Sequence, residues 1–164
     1  MDSFPSALHL EAPSGDFASW AGHTRGTGVV DAYAQYLAAA YPWQWFVTMT
    51  SCKRTHPEAI YKTFRFAVSL MTRHYLGRRP RLHDRIVSVV ALERHKNGNP
   101  HLHAIMWHRQ DLNSFSGSSR SEFKATLENL SGFSKVEKPH QAGRVSRYCA
   151  KYLLKGGEIH FSPA

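Results

Sequence analysis

The period of the apolar positions changes several times along the chain, and each change marks an element. Asp31 can cap a helix running to about Ala40. Trp43-Gln-Trp-Phe-Val-Thr-Met-Thr50 is rich in aromatic and β-branched residues and reads as a strand. After Pro57-Glu58, Ile60, Phe64, Val68 and Met71 recur on one stripe, which predicts a helix ending near Tyr75-Leu76-Gly77 with a basic exit at Arg78-Arg79-Pro80. Asp84 to His95 and His101 to His108 read as two strands around Asn97-Gly98, a dipeptide suited to hairpin turns because both residues tolerate positive φ. A Ser-rich link leads to a helix from about Ser121 to Asn129. Ser131 to Glu137 forms a short strand, and Gly143 to Leu154 a helix stopped by Gly156-Gly157.

The order αβαββαβα predicts an α+β fold with a central, mostly antiparallel sheet and helices against one face. Residues 1–28 mix Pro, Gly, Ser and isolated aromatics without a period and read as an N-terminal arm or irregular cap, ahead of one domain over 29–164. Internal repeats and Gly-rich phosphate loops are absent from the sequence.

Composition narrows the partners. With 164 residues, 42% of them hydrophobic, the chain can bury a core of its own without disulfides. Lys and Arg number 21 against 12 Asp and Glu, and the net charge of +9 favours a polyanion, nucleic acid above all. Cys52 and Cys149 are the two cysteines, with no CxxC spacing, which argues against a disulfide framework or a cysteine zinc site and suits a reducing compartment. Neither a signal peptide nor a stretch approaching the ~18 apolar residues of a membrane span is present. The expectation is a cytoplasmic protein without membrane contact, nuclear if the host is eukaryotic.

The candidate chemistry lies in two motifs. His101 and His103, one residue apart on a strand, point to the same face and converge two imidazoles, as a metal needs. The competing account is a polar strand face in a chain with 11 histidines. Hairpin register decides the third ligand. A two-residue Asn97-Gly98 loop puts Leu92 and Arg94 beside the pair, whereas a three-residue loop over Lys96 to Gly98, with Gly98 left-handed, puts Ala91 and Glu93 there. Glu93 is the carboxylate near enough, so the second register is expected, with His95 and His108 as reserve ligands. Downstream, Tyr148, Lys151, Tyr152 and Lys155 fall at i, i+3, i+4 and i+7 and share one helix face. Ionising a tyrosine of pKa ~10 at pH 7 costs about 4 kcal/mol, so a nucleophilic phenol needs a cation, base or metal nearby. A basic aromatic face that only binds phosphate is the alternative.

Together these residues resemble the HUH endonucleases, the rolling-circle replication initiators (Rep) of plasmids, phages and small single-stranded-DNA viruses. Phe46-Val-Thr-Met-Thr50 is similar to their first motif, Pro100-His-Leu-His103 to the histidine-hydrophobe-histidine motif, and Tyr148-Cys-Ala-Lys151 to the tyrosine-x-x-lysine motif. The resemblance covers about Trp45 to Lys155. It implies a ferredoxin-like, RRM-like core with the histidine strand central and the tyrosine helix alongside. It also implies a divalent metal, Mn²⁺ or Mg²⁺ with Zn²⁺ also chemically suited, on His101, His103 and Glu93. The implied reaction is single-stranded DNA nicking and strand transfer through a 5′-phosphotyrosine, leaving a 3′-OH that primes replication. Tyr148 matches the catalytic tyrosine and Lys151 its lysine, while Tyr152 adds the pattern of two-tyrosine phage initiators.

No helicase or ATPase segment is read here, so the expectation is a nuclease fragment or a minimal initiator that borrows a host helicase. Single-strand transposases share the histidine motif and the size, and a non-catalytic basic nucleic-acid module is the remaining alternative. Expected contacts to single-stranded DNA, an origin hairpin or its flanking strand, are Arg78, Arg79, Arg94, Lys96, Arg144, Arg147 and Lys155, with Trp43 and Trp45 stacking on bases.

Overall fold

The computed structural model describes residues 27–52, 55–94, 98–139 and 159–162. Helix α1 spans Thr27–Ala40, strand β1 Trp45–Ser51, α2 Pro57–Leu76, β2 Val87–Arg94, β3 Pro100–Trp107, α3 Ser119–Ser131, β4 Gly132–Glu137 and β5 Ile159–Ser162. The predicted helix over 143–154 and the arm over residues 1–26 lie outside the described residues.

Local chemistry sets the element ends. At the start of α2, Pro57 fits the first turn and the His56 side chain accepts from the Glu58 amide at 3.3 Å. Gly77, at φ +89°, lets the chain leave the last turn. Its buried residues are Ile60, Phe64, Ala67 and Met71, spaced i, i+4, i+7 and i+11, so Ala67 takes the innermost place expected for Val68. Helix α1 begins at Thr27, four residues before the expected Asp31 cap, and Asp31 lies within it.

All pairings are antiparallel, in the order β4-β1-β3-β2-β5. The run β1-α2-β2-β3-α3-β4 with order 4-1-3-2 is the ferredoxin-like split βαβ arrangement expected, and β3 is the middle strand. The sequence reading missed β5, which adds an edge beside β2.

Strand alternation separates two faces. Trp45, Val47 and Met49 of β1, Val90 and Leu92 of β2 and Leu102, Ala104 and Met106 of β3 pack under α2 and α3 with Ile60, Phe64, Phe123 and Leu127. The expectation of helices on one face needs correcting for α1. Its Leu37 packs with Trp43, Val89 and Ile105 on the opposite face, because these β2 and β3 residues alternate with the main core. Among the described residues no helix is long and apolar enough to cross a membrane.

Candidate active site on the histidine face

His101 and His103 share the face opposite α2 and α3, at the end of β3 that the Leu37 cluster leaves uncovered. Sheet register arranges their neighbours in rows. Phe133 of β4, Thr50 of β1, His101 of β3 and Glu93 of β2 form one row, and Lys135, Thr48, His103 and Ala91 the next. Glu93 is therefore the cross-strand partner of His101, in the register that the three-residue loop required. Gly98 has φ +84°, as that loop needed, while residues 95–97 lie outside the described residues.

The imidazoles are held through one nitrogen each. Thr50 Oγ1 lies 2.7 Å from His101 Nδ1 and Thr48 Oγ1 3.2 Å from His103 Nδ1. Phe46 stacks on His103, with rings 5.7 Å apart and 3° from parallel, and the two imidazoles meet edge to face at 4.4 Å. His103 is buried and His101 half-buried. A hydrogen bond at Nδ1 orients a ring so that Nε2 becomes the ligand nitrogen. Two such imidazoles with a carboxylate in the same row are a donor set that suits a divalent ion of borderline hardness. Among the described residues no three His, Cys, Asp or Glu side chains are grouped closely enough to hold a metal. The pair is assembled, and Glu93 is its neighbour by register.

Phe133 and Lys135 complete the face on the β4 side. Phe133 is 62% exposed, and the Lys135 ammonium lies 2.8 Å from a Glu137 carboxylate oxygen. Phe133, Thr48 and Thr50 were not singled out for these roles from sequence. The available signal was the alternation Phe46-x-Thr48-x-Thr50, which puts all three on one face of β1.

Other expected contacts are placed elsewhere. Trp45 is fully buried, with its indole N–H donating to Asn113 Oδ1 at 2.8 Å, and Trp43 is buried with its N–H on the Leu37 carbonyl at 2.6 Å. Both are core residues rather than stacking platforms, since Trp45 alternates in phase with Val47 and Met49. Arg78 and Arg79 are exposed beyond α2, away from the histidine face. Arg94 ends β2 opposite Pro100. Lys96, Arg144, Arg147, Tyr148, Lys151, Tyr152 and Lys155 lie outside the described residues, as does His95.

The reserve ligand His108 is a structural residue. Its Nδ1 accepts the Gln110 amide at 3.2 Å, so the proton sits on Nε2, 3.0 Å from the Asp84 carbonyl that accepts it. Burial, helped by the Arg109 charge, pushes its pKa below the ordinary imidazole value against the opposing pull of Asp84.

A family model of replication-associated proteins, the ORF2 and gene-2-protein type, matches residues 44–157. The chain belongs to this replication-associated protein family. The matched stretch of this replication-associated protein runs from the residue before β1 to two residues short of β5, and contains both histidines, Glu93 and both tyrosines of the sequence motifs. No match was found among the curated proteins or the solved structures.

Proposed function

We propose that this replication-associated protein is a metal-dependent single-stranded DNA nickase and strand transferase of the HUH type, opening rolling-circle replication through a 5′-phosphotyrosine. The observation that carries the reading is the pair of threonine-held imidazoles on one face of the central strand. In this reading Thr48 and Thr50 fix the rings, His101 and His103 offer Nε2, and Glu93 supplies the carboxylate. A divalent ion bound there, Mn²⁺ or Mg²⁺ with Zn²⁺ also suited, would supply Lewis-acid polarisation of the scissile phosphate.

Topology supports a nucleophile on the same face. Strands β4 and β5 run parallel at opposite edges of the sheet, and residues 138 to 158, 21 in all, join them. Connections between parallel strands of one sheet are right-handed in about 98% of cases. With α2 and α3 on one face, a right-handed passage from the β4 edge to the β5 edge crosses the other, the face of His101 and His103. Tyr148 is the midpoint of that segment, as β3 is the middle strand.

The step this implies balances simply. The Tyr148 oxygen attacks phosphorus and gives up its proton, the phosphorus–O3′ bond breaks, and the departing oxygen takes a proton to become a 3′-OH. Lys151, one helical turn on, lowers the cost of the phenolate, and Tyr152 can accept the strand in a second transfer. Exposed Phe133, in the His101 row, offers a face on which an unpaired base can stack.

The test is a covalent adduct. Incubated with Mn²⁺ and single-stranded oligonucleotides bearing candidate origin hairpins, the protein is expected to carry a 5′-linked strand on a denaturing gel, mapped by mass spectrometry to Tyr148 or Tyr152. Cleavage that persists in the Tyr148→Phe/Tyr152→Phe double variant would replace this reading with hydrolysis. Metal binding without any adduct across the substrate pool would leave a binding module.

A further inference from the structure

On the other face of the sheet, between α2 and the β2–β5 edge, lies a cleft of about 530 Å³. Arg65 and Arg73 of α2, Arg78 and Arg79 just after it, and Arg85 before β2 surround its mouth, and all five are exposed. Among the described residues none of these guanidinium groups has a carboxylate within ion-pair distance. The nearby Asp84 is taken by Arg109 and His83, and Glu58, at the far end of α2, by Lys62. Five like charges gathered without counter-charges repel one another, and an anion relieves that repulsion. The hydroxyl residues Ser69, Thr72, Ser88 and Ser162 add hydrogen-bond donors of the type phosphate oxygens accept.

We infer that this cleft holds the phosphate backbone of duplex DNA, as a second nucleic-acid site separate from the histidine face. Its volume and five charges exceed what one phosphate needs. Its chemistry also differs from that of a single-strand site, which pairs cations with aromatic platforms for unstacked bases. The one aromatic lining the cleft, Phe64, is 1% exposed, whereas the histidine face presents Phe133 at 62%. Guanidinium groups and hydroxyls without a stacking surface grip a backbone and leave its bases paired. Ser88 belongs to the sheet face of Val90 and Leu92, opposite that of Ala91 and Glu93, so the sheet itself separates the two sites. One molecule can thus hold a duplex flank on one side and an unpaired strand on the other. The inference requires DNA binding and does not depend on the nicking reading.

The test uses the full chain, a short labelled duplex of arbitrary sequence and a labelled single strand, read by fluorescence anisotropy across a salt series. The Arg78→Ala/Arg79→Ala/Arg85→Ala triple variant is expected to bind the duplex roughly tenfold or more weakly. The slope of log affinity against log salt should fall by about 0.9 for each phosphate no longer neutralised. Single-strand binding should be unchanged, unlabelled single strand should not displace the duplex, and His101→Ala should leave duplex binding intact. The corresponding Arg→Lys triple, which keeps the charge, is expected to retain most of the duplex affinity and so separates lost charge from lost fold. Wild-type protein without duplex affinity would overturn the proposal, as would an unchanged salt slope in the alanine variant. Equal weakening toward both probes, or mutual displacement of the two strands, would show one shared site and overturn it as well.

Discussion

Leu102, Ala104 and Met106 leave β3 on one side and His101 and His103 on the other, and the two sides obey different physics. Beneath α2 and α3 the side chains are fully buried and apolar, and each is worth the contacts and water exclusion it brings. Across the sheet the same strand carries polar rings held by a threonine hydroxyl each, and by one stacked phenylalanine. A strand anchored by its apolar side can carry on the other a pair of imidazoles that contributes little to stability. Rigidity comes from one face and chemistry from the other.

Substitutions at adjacent positions should separate the two. The largest effect is expected at Leu102→Ala, which opens a cavity under the helices and should cost about 2–5 kcal/mol of stability in a denaturant or thermal melt. A variant as stable as wild type would show that the helix-covered side does not anchor β3. His101→Ala and His103→Ala should instead remain folded by circular dichroism while losing Mn²⁺ affinity by more than roughly 100-fold in calorimetric titration, beyond the usual effect of a ligand's supporting partner.

Thr50→Val keeps the β-branched shape and removes the hydroxyl on His101 Nδ1. Metal affinity should fall roughly 10-fold with the fold unchanged, and Thr50→Ser should restore it. A valine variant that binds Mn²⁺ as wild type does would reduce the threonine to packing.

The smallest effect concerns His108. Its folded-state pKa lies below that of the unfolded chain, so the neutral ring contributes stability in full above the ordinary imidazole pKa of ~6.5. That contribution is lost as pH falls from there through the folded value. Melting temperature should therefore drop on mild acidification, and His108→Gln, which keeps a donor for the Asp84 carbonyl and an acceptor for the Gln110 amide, should flatten this part of the profile. An unchanged profile in that variant would assign the acid sensitivity to other groups.

The features legible in the sequence were those with a local cause. Helix α2 followed from its stripe, Pro57 and Gly77, and the pairing of Glu93 with His101 followed from loop length and the period of two. What escaped depended on partners distant in sequence. Strand β5 is four residues long and takes its place from the ladder with β2. Thr48 and Thr50 read as ordinary β-branched residues until the β1–β3 register sets them beside the histidines. Trp45 could stack on a base or fill a core, and the choice depended on which face the helices cover. The arginine cleft draws on residues from Arg65 to Arg85 that only the packing of α2 against the sheet edge gathers.

The central claim is that the polar face of β3 is where metal and phosphate meet. Crystals of the protein grown with Mn²⁺ and examined by anomalous scattering at the manganese edge test it most directly. The account predicts one strong peak between the Nε2 atoms of His101 and His103, with Glu93 turned toward it and a Tyr148 or Tyr152 hydroxyl on the same side of the sheet. Manganese bound stoichiometrically at another site, with both imidazoles still on their threonines and no peak between them, would contradict it.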